Sequence, residues 1–150
     1  MIKLFVGVLC VALSLSVQGK EVNMTSPDGK YQFTMSDSGG QLHYSLTWNG
    51  KQTVKPSLLG INANVEWRDG VEIGTVDSSR KDTIWHPVYG ERSEIKDCYH
   101  AWKIVVNRQN GRDKLILDVR AYDEGIAFRY HFPGGQYLKI TDEYTEYTMP

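Results

Sequence analysis

Cysteine is nearly absent from this chain of 150 residues, which carries only Cys10 and Cys98. Cys10 lies inside an apolar amino-terminal run. That leaves Cys98 without a partner and excludes an internal disulfide framework. Cys98 itself reads as a packed structural thiol rather than a nucleophile. An excess of one charge is also missing. Seventeen Lys and Arg stand against eighteen Asp and Glu, for a formal net charge of −1, and so close a balance gives no electrostatic case for nucleic acid or an anionic membrane as partner. His43, His86, His100 and His131 are widely spaced, with no His-x-His, His-Glu-x-x-His or Cys-x-x-Cys pattern, so the spacing predicts no zinc site. The sequence has no Asp-x-Asp-x-Asp-Gly run, which excludes an EF-hand calcium loop. It also lacks a Gly-x-Ser-x-Gly elbow and a glycine-rich phosphate loop with a lysine. No long stretch places apolar residues at helical spacing. Stability must come from burial, and a 41% hydrophobic content with nine tyrosines can supply it.

The amino terminus predicts export. Lys3 supplies a positive start, and Leu4 to Val17 is apolar apart from Ser14 and Ser16. Val17-Gln18-Gly19 then has the small residues of a leader-peptidase site. The run is shorter than the roughly 20 apolar residues of a spanning helix, and no basic stop-transfer cluster follows it. Bulky Leu9 before Cys10 argues against a lipid anchor. The expected organisation is a cleaved signal peptide over residues 1–19 and an exported domain over residues 20–150, periplasmic or secreted, with no membrane association after cleavage.

From Lys30 onward the dominant period is two, the mark of strands with one buried face. Tyr31, Phe33 and Met35 alternate with polar residues, as do Leu42, Tyr44, Leu46 and Trp48. Asn49-Gly50 then predicts a tight hairpin turn, with a return strand over residues 51–54. Later, Trp102, Ile104 and Val106 lead to a turn at Asn110-Gly111. Leu115, Leu117, Val119 and Ala121 run back, Asp123-Glu124-Gly125 turns again, and Ile126, Phe128, Tyr130 and Phe132 follow. This is a three-strand antiparallel meander, closed by Pro133-Gly134-Gly135. The pattern predicts an all-β sandwich or barrel. Residues 69–97 look less regular and are expected to form a long loop with short strand pieces, the kind of segment in which binding residues tend to sit. Residues 140–149 favour strand again. A chain stopping there is expected to be an incomplete sandwich, with strand edges open to association.

Glycoside hydrolysis needs two carboxylates across the scissile bond. Glu91, Glu94, Asp97, Asp123, Glu124, Asp142, Glu143 and Glu146 would suffice in number, but none is marked by its surroundings as catalytic. The most unusual stretch is Trp85-His86-Pro87-Val88-Tyr89-Gly90-Glu91-Arg92-Ser93-Glu94. Aromatic faces bind sugar rings, and charged side chains bond hydroxyls, so the stretch could line a sugar pocket. Alternatively, Glu91 and Arg92 pair structurally while Trp85 and Tyr89 plug the sandwich.

The same stretch resembles the W-x-P-V-[WY]-G-E-R-S-E-like segment of glycoside hydrolase family 97. Three further matches fall in the same order. They are Ser26-Pro27-Asp28-Gly29-Lys30, the run from Leu42 to Lys51, and Arg120-Ala121-Tyr122-Asp123-Glu124-Gly125-Ile126-Ala127-Phe128-Arg129-Tyr130. The resemblance implies an amino-terminal antiparallel β-super-sandwich of galactose-mutarotase type, partial in this chain. It further implies an exported bacterial α-glycosidase acting on α-linked glucosides or galactosides. The acid and the base or nucleophile belong to a catalytic (β/α)8 barrel outside this chain, so no catalytic residue is assigned and the chain alone is expected to be inactive. A calcium ion is implied for the full-length enzyme, with no ligand carried onto this chain. Trp85, Glu91 and Arg92 are the residues expected to bind α-linked oligosaccharide or to face the barrel. A free-standing carbohydrate-binding module and a structural or adhesive surface domain are the rival readings.

Overall fold

The computed structural model describes residues 19–109, 111–134 and 137–150. The leader reading therefore lies outside the described residues up to residue 18, as do Asn110 and Gly135 of the two turns named above. Among the described residues eleven strands follow one another, with a single 3₁₀ turn at Ser38–Gly40. They are β1 Glu21–Thr25, β2 Tyr31–Ser36, β3 Leu42–Trp48, β4 Lys51–Leu59, β5 Ile61–Ala63, β6 Val65–Glu66, β7 Val71–Trp85, β8 Ile95–Arg108, β9 Lys114–Tyr122, β10 Gly125–His131 and β11 Ile140–Glu143. They form two four-stranded sheets, in the orders β1-β2-β3-β4 and β10-β9-β8-β7, with a small third sheet, β11-β5-β6. Every described pairing is antiparallel. An all-β antiparallel sandwich is the observed class.

The period of two explains which face each strand buries. Phe33 and Met35 of β2 and Leu42 and Tyr44 of β3 point inward, as do Leu115, Leu117, Val119 and Ala121 of β9. The two inner faces share one apolar cluster, in which Phe128 lies 6.2 Å from Phe33 and 5.9 Å from Tyr44, ring centre to ring centre. The meander forms as expected, with Val119 facing Trp102 on one side and Phe128 on the other. The Asn49-Gly50 turn takes φ of 49° and 74°, both in the left-handed region that a two-residue hairpin requires.

β4 runs on to Leu59, five residues past the expected return strand, because Pro56 falls where the register with β3 shifts and so costs no ladder bond. The other edge of β4 is covered by the carboxyl-terminal residues. Tyr144 N–H donates to Gly60 O at 2.8 Å, Glu146 N–H to Leu58 O at 3.0 Å, and Lys55 N–H to Thr148 O at 2.8 Å. At one end of the sandwich the β1–β2 turn meets the β9–β10 turn, where Asp28 N–H donates to Asp123 Oδ1 at 2.9 Å. Two of the segments that carry the family resemblance thus touch across the two sheets.

One expectation fails. Residues 71–85 are a single long strand, and residues 95–97 begin another, so the segment 69–97 is not a loop with strand fragments. β7 pairs with β8 from Val71 opposite Arg108 to Trp85 opposite Ile95. Two causes hid it. A bulge between Ile73 and Val76 breaks the alternation, and every residue from Asp77 to Trp85 is exposed, so neither face needs to be apolar.

Candidate functional site

β9 ends opposite the level of Tyr99, since His100 pairs with Ala121 and β9 stops at Tyr122. Beyond that level only Asp82–Trp85 and Ile95–Cys98 continue, as a two-stranded ribbon. Four residue pairs at about 3.3 Å per residue carry the ribbon about 13 Å past its neighbours. Residues 86–94 connect its ends, and His86 Nδ1 lies 3.1 Å from Ser93 O across the neck. This arm holds all three residues expected at a site.

Trp85 closes β7 and is 50% exposed, while Val88 and Tyr89 in the connecting loop are 88% and 91% exposed. Glu91 and Arg92 are exposed beside them. Among the described residues no ion pair within 4.0 Å involves either one. The alternative in which Trp85 and Tyr89 plug the core and Glu91 pairs with Arg92 is therefore set aside. The arm gathers two large aromatic faces, a carboxylate and a guanidinium on one projecting tip.

Sequence reading missed the root of the arm. Tyr99 faces outward, away from the core cluster, yet is only 8% exposed. Arg120 lies over its ring at 4.7 Å, Lys81 Nζ at 5.8 Å, and the Tyr122 ring centre is 5.0 Å away. Lys81 Nζ donates to Asp97 Oδ2 at 2.6 Å, which raises the lysine pKa above its ordinary value. The weak bond from Arg120 to the Tyr122 hydroxyl, at 3.5 Å, is the first cause holding the guanidinium firmly charged. Nearby, Asp118 Oδ2 accepts from Arg129 Nε at 2.9 Å, while Asp118 Oδ1 is buried with no partner. Lys81, Tyr99, Asp118, Arg120 and Arg129 share a cleft of about 450 Å³ on the outer face of β7, β8 and β9. The outward parity of Arg120 and Tyr122 in the meander was the signal available. Tyr99 gave none, because its covering residues come from distant strands.

Cys98 is a buried free thiol on β8, as expected. His100 Nδ1 lies 2.9 Å from Thr25 O, and His131 Nδ1 3.6 Å from Asp118 Oδ2. Among the described residues no three His, Cys, Asp or Glu side chains converge as a metal cage requires. A calcium site therefore does not fit the described residues alone. Asp123 is occupied as an acceptor in the turn contact, and Glu143 Oε1 accepts from Thr145 Oγ1 at 2.8 Å.

The described residues form antiparallel sheets that share one core and send out an exposed arm of aromatic and charged residues. The chain belongs to the family described as Glycosyl-hydrolase 97 N-terminal, which it matches over residues 24–150. It is 29% identical over 152 aligned residues to a retaining alpha-galactosidase of Bacteroides thetaiotaomicron, across 99% of this chain and 22% of that enzyme. Among solved structures it resembles a glycoside hydrolase family 97 enzyme from a Pseudoalteromonas species, in complex with panose, at a TM-score of 0.78 and 25% identity. That likeness covers 85% of this chain and 20% of that one. A beta-arabinopyranosidase is similar at the same TM-score and identity, over 86% of this chain and 21% of its own. The chain thus spans about a fifth of the length of the relatives it matches.

Proposed function

We propose that this chain is the amino-terminal sandwich of an exported α-glycosidase, docked on a catalytic (β/α)8 barrel that carries the acid and the base or nucleophile. In this reading the β7–β8 arm reaches the barrel, and Trp85, Glu91 and Arg92 meet α-linked oligosaccharide or the rim of its pocket. The observation that carries it is the exposure of Trp85, Val88, Tyr89, Glu91 and Arg92 together on one projecting ribbon. Large apolar faces held out beside charged groups lose energy in water and gain it against a partner. The names of the relatives support the substrate class: one is a retaining alpha-galactosidase, another was captured with panose. Residues 1–19 act as a leader that is removed on export to the periplasm or medium. Calcium belongs to the full-length enzyme, and we place none of its ligands on this chain.

The test uses the full-length enzyme. Trp85→Ala and Arg92→Ala should each lower kcat/KM on α-galactosides or α-glucosides by about tenfold, equivalent to about 1.4 kcal/mol, while the melting temperature stays unchanged. Unaltered kcat/KM in both variants would remove the arm from substrate binding. The isolated chain should release no sugar from panose and give no heat on titration with it. Measurable heat would favour the free-standing carbohydrate-binding module, which the same exposed aromatics could serve.

A further inference from the structure

We propose that hydrolysis of the Gly19–Lys20 peptide bond creates an amino-terminal ammonium on Lys20 that pairs with the Asp37 carboxylate and latches the β7 bulge between Ile73 and Val76. The inference rests on the leader reading, since a leader peptidase must make the cut.

The bond network at this point joins three segments. Lys20 N–H donates to Asp37 Oδ1 at 2.5 Å, and Asp37 N–H donates back to Lys20 O at 3.2 Å. The second carboxylate oxygen, Oδ2, accepts from Ile73 N–H at 2.8 Å. The Lys20 side-chain Nζ donates to the Gly74 carbonyl. Ile73 and Gly74 belong to the stretch where the β7–β8 register shifts. Asp37 thus bridges Lys20 to Ile73, the last residue in register before the bulge, and the Lys20 side chain holds Gly74, the first residue within it. The bulge itself has little room, because a Cβ on Gly74 would come within 2.6 Å of Asn107 Nδ2 and 3.2 Å of Val105 O.

In the uncut chain the Lys20 nitrogen is a neutral amide with one hydrogen. Water adds across the Gly19–Lys20 bond, the C–N bond breaks, Gly19 leaves with the carboxylate, and Lys20 keeps the nitrogen as an ammonium at neutral pH. That group has three donors and a unit charge beside a carboxylate it already touches, and charge-assisted bonds of this type are about twice as strong as neutral ones. The site is also fitted to the cut. A Cβ at position 19 would lie 2.8 Å from Asp37 Oδ1 and 3.0 Å from Ser38 N, so the glycine that suits a peptidase also suits the carboxylate. Lys20 and Asp37 border an open cleft of about 430 Å³ that Glu72 also lines.

Three forms of the chain test the latch: residues 20–150 with a free Lys20 amine, the same chain acetylated at that amine, and residues 19–150 with Gly19 retained. The free-amine form should melt higher than both others by on the order of 4 °C, the shift expected of a weak ion pair in a domain of this size, with slower amide exchange at Ile73. Asp37→Asn should erase the difference. Equal melting in all three forms overturns the latch, and so does a difference that survives Asp37→Asn. If Asp37→Asn does not fold, the acetylated form still decides. Mass spectrometry of the exported protein separates the two ideas. A terminus at Lys20 supports both, whereas a terminus elsewhere defeats the leader reading and, with it, the latch in the cell.

Discussion

Leu117 shows what one inward position is worth. It is fully buried between the sheets, within the cluster that both inner faces share. Leu117→Ala removes buried methyl groups and leaves a cavity in that cluster, and should cost about 3 kcal/mol in urea denaturation. Tyr44 makes a different prediction at the same scale. Its ring is buried, its hydroxyl donates to Glu146 O at 2.7 Å, and burial pushes its pKa up to about 12. Because the folded value is raised above the roughly 10 of a free tyrosine, the neutral phenol stabilises the fold fully below pH 10. That stability is lost as pH rises through about 12. Ultraviolet titration should therefore show a late tyrosinate step that coincides with loss of β-sheet signal, and a Tyr44→Phe chain should lack that step. Asp28 works in the opposite sense. Its bonds from Ser26 and Lys30 hold the carboxyl well below the usual carboxylate range. Its contribution is complete above the ordinary value and fades only as strong acid protonates it.

At the scale of elements, two hairpins behave in contrasting ways. The β3–β4 hairpin depends on its turn, since Gly50 sits at φ 74° in open space, where the cost of a side chain is conformational rather than steric. Gly50→Ala should destabilise the chain by about 1 kcal/mol, measured by thermal melting. The β7–β8 arm depends on its root. Trp85→Ala or Tyr89→Ala should change stability by less than about 0.5 kcal/mol, because these side chains stand largely in water. Loss of the Tyr99 ring, covered by Lys81, Arg120 and Tyr122, should cost several times more. A chemical denaturation series across the three variants separates tip from root.

Among the described residues the two large sheets also meet apart from the core, as where His100 Nδ1 lies 2.9 Å from Thr25 O. The Asp28–Asp123 contact joins the β1–β2 and β9–β10 turns, and Asp37 joins the β2–β3 connection to β7. With one apolar cluster running through both sheets, unfolding should be a single cooperative event, and intrinsic tryptophan fluorescence and far-ultraviolet circular dichroism should report coincident transitions. Separate transitions would mean that the sheets fold independently.

The amino-acid sequence alone determined the class of fold, the turn at Asn49-Gly50, the β8–β9–β10 meander, the buried Cys98 and the family. These follow from alternation along single strands, from local backbone preference and from ordered motifs. It could also mark Trp85, Glu91 and Arg92 as unusual, because large aromatics beside charges in a segment without alternation are rare. Only the tertiary structure decided that residues 71–85 are one strand. Sheet bonding is made between backbones, and a ribbon exposed on both faces leaves no hydrophobic rhythm to read. It alone brought Tyr99, Arg120 and Lys81 together, set Asp37 against Lys20 and Ile73, and ran Tyr144 to Thr148 along β4. Each of those contacts joins residues far apart in the chain, and their meeting depends on how the sheets stack and register rather than on any local pattern.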